Sequence, residues 1–101
     1  MNEAVFREVN ERIEDLAHSF QLDRGPLDLV CECGDASCTQ QITMTAQEYN
    51  RLRDDPALFA VYPGHEVPDV EDVVEKRAGY DVVRKHAGDP ARLAERTDPR
   101  R

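Results

Sequence analysis

Cys31-Glu32-Cys33-Gly34-Asp35-Ala36-Ser37-Cys38 holds all three cysteines of the chain, in the spacing C-x-C-x4-C. Two cysteines one residue apart reach a common ion only if the backbone between them turns, and Gly34 permits that turn. Cys38 then returns after a short polar loop, the shape of a compact knuckle. Asp35, Ser37 and the amides around Gly34 are placed to order hydrogen bonds near the sulfurs. His65 follows in Pro63-Gly64-His65-Glu66, a turn that can aim an imidazole back at the thiols. Three thiolates and one imidazole form a complete tetrahedral set for Zn2+, so Cys31, Cys33, Cys38 and His65 are the candidate ligands.

Other readings of the same residues stay open. Free cysteines are often small buried hydrophobes, but Glu32, Gly34, Asp35 and Ser37 surround these with polar groups. A Cys31–Cys33 disulfide would be strained. A 2Fe–2S cluster also accepts three cysteines and a histidine, although His65 lies far behind the last cysteine, and zinc is preferred. For the fourth ligand the alternatives are His18, His86, a carboxylate or water. His18 reads as a helix-surface residue and His86 as a solvated one at the end of a strand. Glu66 is either a solvated loop carboxylate, a hydrogen-bond partner of the ligand, or a general base.

Outward from the knuckle, residues 2–20 have the pattern of an amphipathic helix. Val5, Val9, Ile13, Leu16 and Phe20 form a stripe widened by Phe6 and Ala17, opposite a face of Arg7, Glu8, Glu11, Arg12, Glu14 and Asp15. Arg7 and Glu11 are spaced for a surface pair. Gly25-Pro26 ends the unit. Strands are expected at 27–33, 40–44, 58–62 and 80–85. Thr45-Ala46-Gln47-Glu48 matches a capping box opening a helix that stops before Pro56, with Tyr49 and Leu52 inward. Residues 68–77 fit either a helix capped by Gly79 or one arm of a β-hairpin. The helix is preferred because strict alternation fails at Val73-Val74. The sum is an α+β fold: a small, mainly antiparallel sheet, an N-terminal helix and one or two further short helices, stapled by zinc. Residues 1–88 form a single domain, and 89–101 a polar tail with a short helix before a disordered end.

The chain has 101 residues and a formal net charge of −8, with no Trp. That length permits one modest core, so a metal staple contributes usefully. The acidic balance disfavours nucleic acid and anionic membrane surfaces as partners. No apolar run approaches the roughly 20 residues that span a bilayer. With no signal-peptide pattern and an odd number of cysteines, a cytoplasmic protein with reduced thiols is expected.

The run from Cys31 to Cys38 resembles the C-x-C-G-x-x-x-C zinc knuckle of the post-SET segment of lysine methyltransferases. The likeness covers eight residues, none of them from a methyltransferase body, and implies zinc rather than methyl transfer. Over residues 2 to 99 the chain also resembles a group of small bacterial proteins, chiefly actinobacterial. That group shares an Asn-Glu-x-x-x-Arg-x-x-Asn-Glu-Arg-Ile-Glu helix, read here from Asn2 to Glu14, then a C-x-C-x4-C knuckle and a Pro-Gly-His-Glu turn. The resemblance implies His65 as a ligand and carries no assigned activity.

Three functions compete. A non-catalytic zinc module that binds a protein partner is preferred, since no nucleophile motif, Gly-rich phosphate loop or carboxylate–histidine arrangement is present. The negative charge favours a basic partner. Its contact surface is expected on the charged outer face of the first helix or on the valine-rich segment Val67–Val74. The second reading is a thiolate-based metal or redox sensor. The weakest is a zinc hydrolase with Glu66 as base, because three thiolates make zinc a poor Lewis acid.

Overall fold

The capping box read at Thr45 is formed. The Thr45 hydroxyl accepts from the Glu48 N–H at 3.1 Å, and the Glu48 carboxylate accepts from the Thr45 N–H at 2.8 Å. It opens one of three helices in a computed structural model that describes residues 2–19, 26–33, 35 and 37–99, without the side chains of residues 2, 3 and 17–19. Readings that rest on Gly34, Gly25, Phe20 or the side chains of Ala17 and His18 lie outside the described residues. The elements run α1 (Asn2–Ser19), β1 (Pro26–Val30), β2 (Gln41–Thr45), α2 (Ala46–Arg53), β3 (Leu58–Val61), β4 (Glu71–Arg77), β5 (Tyr80–Lys85) and α3 (Asp89–Arg96). The fold is α+β. No helix among the described residues is long and apolar enough to cross a membrane.

Two small antiparallel sheets replace the single sheet expected. One pairs β1 with β2, the other has the order β3-β5-β4. Residues 68–77 are not a helix: β4 and β5 form a hairpin that turns at Ala78-Gly79. The break in alternation at Val73-Val74 that favours a helix is a β-bulge, since Val73 pairs with Val83 and Glu75 with Val82, leaving Val74 over. The bulge and the exposed charges of Asp72, Glu75, Lys76 and Arg77 blunt this edge of the sheet. Gly79 has φ +93°, and a Cβ there would meet nothing within 4 Å. Gly79→Ala should therefore cost about 1 kcal/mol through backbone strain alone. The check is a lower urea midpoint at unchanged slope, and an unchanged midpoint would contradict this turn.

Helix α1 docks on a face other than the one its hydropathy marks. Arg7 and Asn10 are 0% exposed and Glu14 6%, while Val5 is 54%, Val9 38% and Leu16 59% exposed. Among the described residues of the apolar stripe, only Ile13 packs on the core around Leu29, Ile42, Met44 and Tyr49. Polar side chains go inward because each finds specific partners there. Arg7 donates to the carbonyls of Pro56 and Ala94, both at 2.7 Å, and to Thr97 Oγ1 at 3.1 Å. Glu14 accepts from the Asn50 amide at 3.1 Å. The surface pair on this helix is Arg12 with Glu8, at 3.3 Å, since Arg7 is withdrawn from solvent.

Two apolar clusters make up the core. The first joins both sheets through Leu29, Ile42, Met44, Ala60, Tyr80 and Val82, with Tyr49 and Leu52 from α2. The second contains Cys31, Cys33, Phe59, Val61, Val83 and Ala94. Ala94 brings in α3, so the short helix expected after Asp89 packs on the domain and is clamped to α1 by Arg7. Cations gather about the Phe59 ring: Arg7 lies 4.5 Å, Lys85 5.1 Å and Arg53 5.5 Å from its centroid. Lys85 is also bound to Glu71 at 2.5 Å, which ties the two ends of the β4–β5 hairpin together in a buried pair.

Candidate metal centre

Strand β1 ends at Val30, and Cys31 and Glu32 continue beside the free edge of β3. Glu32 N–H donates to the Ala60 carbonyl at 2.9 Å, and the Ala60 N–H donates to the Glu32 carboxylate at 3.0 Å. Two residues further along, the Tyr62 N–H donates to Cys31 Sγ at 3.0 Å. These bonds place the first two thiols beside the turn that follows β3. That turn carries His65, whose N–H donates to the Tyr62 carbonyl at 2.9 Å and whose ring tilts against Tyr62. Gly64 takes φ +90°, a conformation that glycine adopts freely.

Cys31, Cys33, Cys38 and His65 thereby converge. Their ligand atoms all lie within 4.8 Å of one another, a Cys3His group able to hold a metal ion. His65 Nδ1 is 3.6 Å from Cys31 Sγ and 3.5 Å from Cys38 Sγ. The loop is held by local bonds: Asp35 Oδ1 accepts from the Ser37 N–H at 2.9 Å and the Ser37 hydroxyl at 2.7 Å, and the Cys38 N–H donates to the Asp35 carbonyl at 3.1 Å. The Ser37 bonds keep the Asp35 carboxyl below its usual range. Among the alternative ligands, His86 is bound to Asp72 at 3.2 Å and to the Val70 carbonyl through its N–H, outside the converging group. Glu66 is half-buried, also outside the group, and its Oε1 has no hydrogen-bond partner among the described residues.

Burial governs the thiols. Cys31 and Cys33 are 2% and 4% exposed, so both belong to the apolar core as well as to the converging group. Desolvation pushes the Cys31 thiol up to about 12, against the N–H bonds from Tyr62 and Cys33 that favour a thiolate. Cys33 is raised by burial too, opposed by the Asp35 N–H. Burial thus opposes ionisation of both sulfurs, and a metal ion held here would bind them as thiolates. Metal uptake must therefore release their protons, so affinity falls as pH falls. With two thiols held protonated, each unit of acidification between pH 8 and 5 should cost about two decades of zinc affinity or more. Chelator competition across that range checks this, and a flat profile would contradict it.

The residue between the first two cysteines is the one sequence reasoning missed. Glu32, read as a polar neighbour, is 0% exposed. Its carboxylate takes bonds from the Asn10 amide at 2.9 Å, Tyr49 OH at 3.4 Å and Arg53 at 3.4 Å, besides the Ala60 N–H. Asn10 also accepts from the Val30 N–H and donates to the Val30 carbonyl, both at 2.8 Å, doing for β1 what a neighbouring strand would. Arg53 completes the network with a bond to the Leu58 carbonyl. Helix α1 is thus fastened to the strand and loop that present the thiols. The one available signal was Asn10 itself, an amide out of place on a charged surface face.

Removing the imidazole tests the ligand set. His65→Ala should lower zinc affinity by more than the roughly 10–100-fold typical of losing an outer hydrogen-bond partner, while His86→Ala leaves it unchanged. Chelator competition reads both, and unchanged affinity in His65→Ala would place the fourth ligand elsewhere. Comparison of the chain with protein-family models, with curated proteins and with solved structures gives no match. The likenesses to post-SET knuckles and to the small bacterial group therefore rest on the motifs themselves, and the Cys3His group is what the fold supports of them.

Proposed function

We propose that the chain is a non-catalytic module in which a structural zinc ion, held by Cys31, Cys33, Cys38 and His65, stabilises a surface that binds another protein. The carrying observation is the convergence of four protein donors within 4.8 Å, enough to fill a tetrahedral ion without water. Zn–S and Zn–N bonds of about 2.3 and 2.0–2.1 Å at tetrahedral angles separate sulfur from nitrogen by roughly 3.5 Å. The sulfur–imidazole distances of 3.5 and 3.6 Å fit that spacing. A 2Fe–2S cluster would spread the same donors over two irons, which suits so tight a group less well. Reduced thiols suit a cytoplasmic setting. A hydrolase would need an open zinc position and a base facing it, and Glu66 stands outside the converging group.

The sensor reading has one observation in its favour. Cys38 is the ligand cysteine that is not fully buried, and so the one an oxidant meets first. Zinc release by about one equivalent of peroxide would favour it.

Elemental analysis, the visible spectrum and a panel of ester, amide and phosphoester substrates test the main reading. The expected result is colourless protein with one zinc per chain and no zinc-dependent turnover. Brown, iron-containing protein or zinc-dependent hydrolysis would overturn it.

A further inference from the structure

Val5, Val9, Arg12 and Leu16 fall at 4-3-4 spacing on α1, which places them on one face about 17 Å long. Three of the four are apolar and lie open to solvent, at 54%, 38% and 59% exposed. A shallow cleft of about 200 Å³ runs between Val5, Glu8, Val9 and Arg12. The inward side of the helix is fully engaged by Arg7, Asn10 and Glu14. Exposed valines and leucine at this period are therefore not needed for the fold. A helix that buries its polar residues and shows its apolar ones has a second packing face.

We propose that this face docks a basic amphipathic helix of a partner protein, which deepens the protein-binding reading above and rests on it. Charge selects the occupant. Glu8 and Asp15 are exposed along one margin of the stripe, and Arg12 is paired with Glu8 at 3.3 Å, so acid exceeds base on this face. The whole chain carries −8. Lysines or arginines flanking the partner's apolar residues would meet Glu8 and Asp15 while those residues cover Val5, Val9 and Leu16. A second copy fits less well. Two chains of this charge repel, and antiparallel pairing at 4-3-4 spacing sets Glu8 of one copy beside Asp15 of the other.

The test uses the zinc-loaded chain and a fluorescent peptide of roughly 18 residues, built only from Leu at 4-3-4 spacing and Lys elsewhere. A twin peptide carries Glu in place of Lys. Anisotropy should show that the Lys peptide binds, and that binding weakens at least about tenfold in Val9→Gln/Leu16→Gln and again at about 0.5 M salt. The Glu peptide should not bind. Equal affinity for wild type and the double variant would overturn the proposal, as would no binding at about 1 mM. A wild-type dimer by sedimentation that the double variant abolishes would also overturn it, making a second copy the occupant. Zinc content of the same samples keeps the two readings apart: protein that lacks zinc yet binds the Lys peptide through Val9 and Leu16 faults the metal assignment alone.

Discussion

Cys33→Ser is expected to cost the protein several kcal/mol of folding stability, whereas His86→Ala should cost less than about 1 kcal/mol. Structural zinc in small domains carries roughly 10–16 kcal/mol of apparent binding free energy, and folding draws on it because the unfolded chain offers no formed site. A domain's whole stability is about 5–15 kcal/mol, so losing a thiolate endangers the fold. Here the effect is compounded by position. Cys33 is 4% exposed and packs with Phe59, Val61, Val83 and Ala94, so the serine hydroxyl would also enter apolar surroundings. His86 by contrast pairs with Asp72, whose side chain is 75% exposed, an ion pair screened by water. Thermal unfolding followed by circular dichroism separates the two. Equal melting temperatures would rule out a structural metal held by Cys33.

Glu32→Ala should destabilise by roughly 3–5 kcal/mol, the range for breaking a buried ion pair from one side. It would leave the Arg53 guanidinium, fully buried and already without hydrogen-bond partners at Nε and Nη1 among the described residues, with its carboxylate gone. The Ala60 N–H and one bond of the Asn10 amide would go unmet as well. Because Glu32 sits between two ligands, zinc affinity should fall with stability, by roughly 10–100-fold. Denaturant unfolding and chelator competition read the two effects. A change under about 1 kcal/mol with unaltered zinc affinity would show that the network is not what couples α1 to the knuckle.

Much of the site was legible because its chemistry is local. The C-x-C-x4-C run and the Pro63-Gly64-His65 turn mark, by residue type and spacing, the four residues that converge, and the Thr45–Glu48 box is written in four adjacent residues. Strand β5 was legible too, since the strand expected at 80–85 is Tyr80–Lys85. What could not be read depends on partners distant in sequence. Arg7 is buried because Pro56, Ala94 and Thr97 supply acceptors, and Asn10 because Val30 and Glu32 do. Hydropathy sees each side chain alone, so it points the Val5–Val9–Leu16 stripe inward when the structure turns it out. The hairpin at Ala78-Gly79 was obscured by one residue. The extra Val74 of the bulge breaks the two-residue period and lets the valines pass for a helical face.

X-ray absorption at the zinc edge of the metal-loaded protein decides the coordination, since it counts donors by element and distance. Three sulfurs at about 2.3 Å and one nitrogen at about 2.0–2.1 Å are expected, with no oxygen in the coordination sphere. A spectrum with an oxygen donor in place of a sulfur or of the imidazole would contradict this coordination and return Glu66 to consideration as a catalytic base.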